Sequence, residues 1–280
     1  MGTALMRAAH TRLDRPVLIE DPWGDRLILD EEREAMRARA GGGDPDTLLR
    51  AHPSYGTVIV RARYAEDLLA NAVRRGVRQY VIIGAGMDSF ALRRGDSPPD
   101  LEIFEVDHPS TQQLKSTRLE LCGIPAPPGL QLVPADLSET GLDDALATSR
   151  FRRDSPAFFS WLGVTSYLSR ADNLATLGAI ASCALAGSEL VFSYLDQRML
   201  DSDVAPERLQ RAREQVASLG EPWVWGFDPG ELGSVLRGAG FEMVENLGPE
   251  QLAERYCAGR ADGLSPTLGS HLAHARVVGK

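Results

Sequence analysis

Residues 80–94 read YVIIGAGMDSFALRR, and the reading of this stretch decides the fold. Tyr80 to Ile83 is an apolar run of strand length, Gly84 and Gly86 break it, and an arginine-bearing segment follows. Two glycines let a backbone turn sharply and let a ligand approach without a Cβ in the way. In an open parallel sheet the ligand lies beyond the carboxyl ends of the strands, so a glycine turn after the first strand is a natural binding place. The third glycine of a dinucleotide fingerprint falls at Ser89. GxGxxS alone leaves three readings open: a dinucleotide, another nucleoside cofactor, or an ordinary strand-to-helix turn.

Outward from this turn the pattern is repetitive. Before it, YGTVIVRARYAEDLLANAVRR (55–75) carries apolar residues at helical spacing and ends at Gly76. After it, strands are expected at 101–106, 130–134, 157–161 and 189–194, with helices at 109–122, about 141–148 and 170–186. Short apolar runs separated by helix-length segments call for a parallel sheet with crossovers on both faces. Residues 197–222 read as a polar helical insertion, Asp228 and Pro229 as the cap and first residue of a further helix, and 241–247 and about 271–278 as two late strands. Residues 3–13 and 30–40 fit helices of an N-terminal cap spanning 1–54. No repeat or low-complexity segment divides the chain, which reads as one α/β domain over 1–280.

Composition narrows the function. A 280-residue chain that is 43% hydrophobic can bury a substantial core. Its formal charge of −9 offers no basic face for a run of phosphates, so nucleic acid is not an expected partner. No stretch has the length of a membrane span, and the N-terminus lacks a secretory signal's apolar core. Cys122, Cys183 and Cys257 are odd in number, far apart and without CxxC spacing, which points to a reducing compartment, the cytoplasm, and to no structural metal.

The next two strands add chemistry. LEIFEVDHP (101–109) ends in Asp107, 21 positions beyond Gly86 (107 − 86), where a carboxylate can accept both ribose hydroxyls of a nucleoside. NAD and S-adenosylmethionine satisfy that geometry equally. His108 and Pro109 read as a helix cap and first helical residue. LQLVPADL (130–137) ends in Asp136 and Leu137, an acceptor and an apolar neighbour for an adenine. Acids at the ends of strands two and three together suggest adenosylmethionine. An NAD-dependent oxidoreductase needs a hydride-handling Tyr-Lys or His-acid pair, and Lys115 and Lys280, the only lysines, stand in no YxxxK.

Taken together, RARYAED (61–67), VIIGAGMDSFALRR (81–94), FEVDHP (104–109), PADL (134–137), WLGVTSYL (161–168) and GFDPGELGSVLRGAGF (226–241) resemble the leucine carboxyl methyltransferase family, a branch of the class I S-adenosylmethionine-dependent methyltransferases that includes polyketide carboxyl methyltransferases. The resemblance runs in family order along nearly the whole chain. It implies a Rossmann-like, doubly wound, mostly parallel seven-stranded sheet whose last strand is antiparallel. It also implies that Gly84 and Gly86 line the methionine part of the cofactor, that Asp107 holds the ribose, and that Asp136 and Leu137 flank the adenine. Arg61 matches the family's arginine for the cofactor carboxylate, with Arg63 as its rival; a guanidinium suits that task because it can grip a carboxylate with two hydrogen bonds. Tyr167 matches a family aromatic near the transferred methyl. At position 162 the family often has an acid and this chain has leucine, so a protein of the same fold that binds the cofactor without transferring a methyl stays open beside the methyltransferase.

The expected reaction is methyl transfer to a small molecule, leaving S-adenosylhomocysteine. A carboxylate acceptor is ionised at neutral pH and needs no base. A phenol or alcohol needs one, and only His108 stands at a strand end; His10, His52, His271 and His274 read as surface or structural. EPWVWGFDP (221–229) places Trp223, Trp225 and Phe227 in alternation, either as one wall of an apolar substrate pocket or as core packing. The 197–227 insertion and the N-terminal helices would close that pocket as a lid.

Overall fold

The computed structural model describes residues 1–93, 98–137, 139–200, 207–218 and 222–279. Its centre is a seven-stranded sheet: β1 Gln79–Ile83, β2 Glu102–Asp107, β3 Leu130–Pro134, β4 Phe158–Trp161, β5 Glu189–Leu195, β6 Phe241–Leu247 and β7 Ser270–Val277, in the order β3-β2-β1-β4-β5-β7-β6. The pairings from β3 to β5 are parallel, and β7 runs antiparallel to both of its neighbours. Strand order reverses between β1 and β4, so the crevice for a ligand opens at the carboxyl end of β1, where the glycine turn stands.

Both faces of the sheet are covered, which is why β1 and β5 are buried throughout and mostly apolar rather than alternating. Val81, Ile83, Phe104, Phe159, Trp161 and Phe192 project to one face, where they join Leu146, Leu177, Ile180 and Leu236 of helices α8 (Leu142–Ala147), α9 (Arg170–Cys183) and α11 (Leu232–Gly238). Their neighbours Tyr80, Ile82, Ile103, Phe158 and Val191 project to the other, against Tyr64, Ala65 and Leu69 of α5 (Tyr55–Arg74) and Leu252 of α12 (Pro249–Cys257). A third cluster, Met6, Ala9, Ile19, Tyr55, Val58, Ile59 and Leu264, seats α1 (Gly2–Leu13) on the start of α5. Three short helices, α2 Trp23–Leu27, α3 Asp30–Arg39 and α4 Pro45–Ala51, complete the N-terminal part. The remaining ones are α6 Phe90–Arg93, α7 Pro109–Leu121 and α10 Glu207–Ser218.

Two expectations shift. The helix expected from Asp228 begins at Leu232: Asp228 does cap, but through Oδ1 to the Gly230 N–H at 2.7 Å, which closes a turn before the helix. Of the 197–222 insertion, α10 is helical, and 201–206 and 219–221 fall outside the described residues. The interior lysine, Lys115, is buried in an ion pair with Glu105 at 2.5 Å and donates to the Asp88 carbonyl at 2.7 Å. That interaction fastens α7 to β2 behind the glycine turn. Among the described residues no helix is long and apolar enough to cross a membrane, and no group of His, Cys, Asp and Glu is placed to hold a metal ion.

Candidate active site

A cavity of about 800 Å³ opens at the carboxyl ends of β1, β2, β4 and β5. Its floor is the glycine turn. Gly84 and Gly86 have φ of +68° and +53°, the left-handed region that favours glycine. A Cβ on Gly84 would also lie 2.3 Å from Val164 Cγ2, whereas one on Gly86 would meet nothing within 4 Å. The turn is pinned to the end of β2: Gly84 donates to the Val106 carbonyl at 2.8 Å, and Gly86 N–H donates to Asp107 Oδ2 at 2.5 Å. The other Asp107 oxygen accepts the His108 N–H at 2.7 Å. Asp107 is therefore a rigidly held carboxylate that also lines the cavity. Ser89, the departure from GxGxxG, is explained by its hydroxyl, which donates to buried Asp21 at 2.5 Å and accepts from Arg93 Nε at 3.0 Å. A glycine there would lose both bonds.

One wall is a single face of α5. Ser54 at its cap, then Thr57, Val58, Arg61 and Ala62, recur at the spacing of neighbours on a helix face, and all line the cavity. The Arg61 guanidinium lies on Gly163, so close that a Cβ on that residue would come within 2.5 Å of Nη1. Gly163 has φ +72°, and its N–H donates to Ser193 Oγ at 2.7 Å. Arg61 has no hydrogen-bond or ion-pair partner among the described residues, and burial pushes its pKa down to about 10. A desolvated guanidinium left open to a cavity is a receptor for an anion. Arg63, its rival, points away, donating to the Leu18 carbonyl at 3.0 Å and pairing with Asp67 at 2.8 Å.

Leu162 also lines the cavity and packs against the sheet cluster under α5. Tyr167, in a single 3₁₀ turn over Thr165–Tyr167, stands at the cavity 36% exposed. Trp223 lines the same cavity and a second one of about 300 Å³ shared with Met199, Leu200 and Leu209.

Trp225 and Phe227 do not join Trp223 at the wall. Phe227 is 1% exposed and belongs to the core with Phe192 and Tyr194, and Trp225 packs edge-on against it with centroids 4.4 Å apart. The backbone dictates this, because Phe227 N–H donates to the Leu195 carbonyl and Gln197 N–H to the Phe227 carbonyl, drawing 227 onto the end of β5. Asp136 and Leu137 also fall outside the lining: Leu137 packs on the core, and Asp136 Oδ2 lies 3.7 Å from His108 Nε2. His108 caps α7, its Nδ1 accepting the Ser110 N–H at 3.2 Å.

The structure adds residues that the pattern did not mark. Arg7, on α1, lines the cavity while pairing with Asp21 at 2.6 Å and donating to the Met87 carbonyl at 3.1 Å, so the N-terminal helix is tied to the glycine turn. His52, Thr57, Thr267 and Ser270 line the end away from that turn. They come from two distant segments, and only the fold assembles them.

A doubly wound sheet with a glycine turn, a fixed acid at the end of β2 and an unpaired guanidinium above them defines a protein that takes a nucleoside cofactor bearing a carboxylate. S-adenosylmethionine has both parts, and the residues present fit it. The chain belongs to the leucine carboxyl methyltransferase family, whose profile matches residues 1–181. It is 31% identical over 290 residues to YktD of Bacillus subtilis, named as an S-adenosyl-L-methionine-dependent methyltransferase; the match covers 98% of this chain and 95% of that one. Among solved structures it is similar to a DUF574 family protein of Streptomyces avermitilis, with a TM-score of 0.61, 17% identity and coverage of 98% and 96%. Magnesium protoporphyrin IX methyltransferase of Synechocystis, solved with S-adenosylhomocysteine, shares the fold at a TM-score of 0.50 and 11% identity, with coverage of 89% and 94%. The protein is an S-adenosylmethionine-dependent methyltransferase, and the NAD reading of the glycine turn is set aside.

Proposed function

We propose that this enzyme methylates the ionised carboxylate of a small organic acid, of the kind met in secondary metabolism, to give a methyl ester. The observation that carries the reading is the distribution of charge and of bases around the cavity. Its charged lining residues among those described are Arg7, Asp88 and Asp107, grouped about the glycine turn, and Arg61 facing them from α5. Its one lining imidazole, His52, has Nδ1 engaged by the Ser54 N–H at 3.1 Å. That imidazole offers a phenol or alcohol acceptor no base, and the lining carboxylates Asp88 and Asp107 are engaged by the N–H groups of Phe90, Gly86 and His108, whereas a carboxylate acceptor needs no base.

In this reading Arg61 takes the cofactor's carboxylate, Gly84 and Gly86 flank its methionine part, and Asp107 accepts from its ribose. Leu162 lies along it, while Asp136 and Leu137, beyond the cavity lining, are assigned to the adenine end. The bound cofactor supplies a methyl group already activated by its sulfonium. The chain's own residues then chiefly align the acceptor, Tyr167 and Trp223 from the sides and α1 from above. We read 1–280 as one catalytic domain, with 1–54 as a cap and 197–227 as a lid-like insertion. Cysteine usage supports a cytoplasmic enzyme, and the charge of −9 supports a small-molecule rather than nucleic-acid partner. Incubation with methyl-labelled cofactor and matched panels of carboxylic acids and phenols is expected to label the acids as base-labile esters. Stable aryl ethers as the sole products would overturn this reading.

A further inference from the structure

The face of α5 that carries Arg61 reaches back one turn to Thr57, and the chain just before the helix carries His52; both line the same cavity. Four residues from Thr57 to Arg61 correspond to a rise of about 6 Å along a helix. Thr57 is 9% exposed, and its Oγ1 accepts the Thr267 N–H at 2.8 Å. Its own hydrogen has no acceptor among the described residues. A helical threonine ordinarily donates to the carbonyl four residues back, but here that carbonyl, of Pro53, takes the Thr267 hydroxyl instead. His52 is fixed in a comparable way. Because Nδ1 accepts from Ser54, the neutral ring carries its hydrogen on Nε2, which has no partner among the described residues. Burial lowers the pKa of this imidazole, which keeps it neutral at physiological pH. Two oriented donors without acceptors among the described residues thus border the cavity, the threonine one helical turn along α5 from Arg61 and the histidine just before that helix.

We infer that His52 and Thr57 form the acceptor subsite, holding one oxygen of the substrate's carboxylate through Nε2–H and Oγ1–H. The inference rests on the carboxyl-methylation reading and says where the acid sits. The held oxygen stays out of the reaction. The other forms the bond to the methyl carbon, the carbon–sulfur bond breaks with its electron pair passing to sulfur, and no proton moves. Neutral donors suit this task because they orient the carboxylate without the tight ion pair that would lower its nucleophilicity, and they present no base to an alcohol.

Two measurements test it. Long-range proton–nitrogen NMR of the histidine-labelled free protein, with the His52 signal assigned through His52→Asn, is expected to show the hydrogen on Nε2; a hydrogen on Nδ1 overturns the subsite. In steady-state methylation of a panel of short aliphatic and aromatic acids, Thr57→Val and His52→Asn are expected to raise KM for the acid about tenfold or more, the loss of one charge-assisted hydrogen bond. Adenosylhomocysteine affinity by calorimetry stays at the wild-type value in both variants, and Thr57→Ser, which keeps the hydroxyl, keeps the wild-type KM. Acids esterified with unchanged KM in both variants would overturn the subsite and leave carboxyl methylation standing. A wild-type enzyme that methylates only phenols or alcohols would overturn both.

Discussion

Replacing Arg61 by methionine is expected to move stability and cofactor affinity in opposite directions. The substitution keeps an unbranched side chain against Gly163 and removes the charge. In the free protein that charge has no anion beside it, and burial lowers its pKa well below the usual guanidinium range, to about 10. At about 1.4 kcal/mol per unit, the depression corresponds to roughly 3 kcal/mol against the charged form. Water in the cavity reduces the cost, so its removal is expected to return about 1–2 kcal/mol. For a chain of this size that is a rise in Tm of about 2–6 °C.

Cofactor binding responds the other way. With ligand present, the wild-type guanidinium gains a carboxylate partner through charge-assisted hydrogen bonds worth about 1.5–3 kcal/mol each, so the variant is expected to bind adenosylmethionine and adenosylhomocysteine roughly 10- to 100-fold more weakly. Thermal melts with and without ligand, beside calorimetric titration, read both effects in one preparation. Arg63→Met, which removes an outward-facing surface pair with Asp67, serves as the control and leaves affinity unchanged. If Arg61→Met lowers the Tm of the free protein, or binds the cofactor as tightly as wild type, the assignment of an unpaired receptor arginine is refuted.

Other perturbations separate the roles of the turn. Asp107→Asn keeps one acceptor where Gly86 and His108 now use two, and calorimetry is expected to show at least about tenfold weaker cofactor binding. Gly84→Ala drives a Cβ to 2.3 Å from Val164 at φ +68°, so chemical denaturation should report a loss of about 1–3 kcal/mol. Gly86→Ala meets no protein atom, and is expected to cost about 1–2 kcal/mol from its backbone while weakening the cofactor more than Gly84→Ala does relative to its effect on folding. Glu32, which pairs with Arg118 through both oxygens at 2.6 and 2.7 Å, has its pKa lowered from 4.5 to about 2. A depressed carboxylate stabilises the fold above its unfolded pKa and loses that contribution as pH falls toward the folded one. The stability gap between wild type and Glu32→Gln is therefore expected to be full at neutral pH and to close on acidification between those two values; a gap that persists in strong acid would mean the pair is not its source.

The sheet was legible because its central strands are buried on both faces, and continuous apolar runs such as Tyr80 to Ile83 leave little doubt about period or length. The glycine turn and Asp107 were legible as features of the cavity because they lie at strand ends, where a turn or an acid has few other reasons to stand, whereas Arg61, inside α5, was marked by the family resemblance alone. The acceptor end was not legible. His52 and Thr57 sit at the start of one helix, Thr267 and Ser270 lead into the last strand, and Trp223 follows the insertion, so no spacing in the chain joins them. Trp225 and Phe227 mislead for a related reason. Alternation tells which side chains share a face of an extended segment, and the hydrogen bonds of Phe227 to Leu195 and Gln197 decide that this face meets the core.

Leu162 shows what the departure from the family pattern accomplishes. It precedes Gly163, the residue on which the Arg61 guanidinium rests, and it lines the same cavity. A carboxylate at that position would stand near the arginine in a poorly solvated space, where an opposite charge is a strong competitor for any ligand anion. Leucine packs there against the sheet instead. The guanidinium is thereby left without an internal counter-charge, its pKa lowered by burial, and the methionine carboxylate of the cofactor is the anion we propose for it. On that proposal the missing acid removes one polar contact and sharpens another, concentrating recognition of the cofactor's amino-acid end on Arg61.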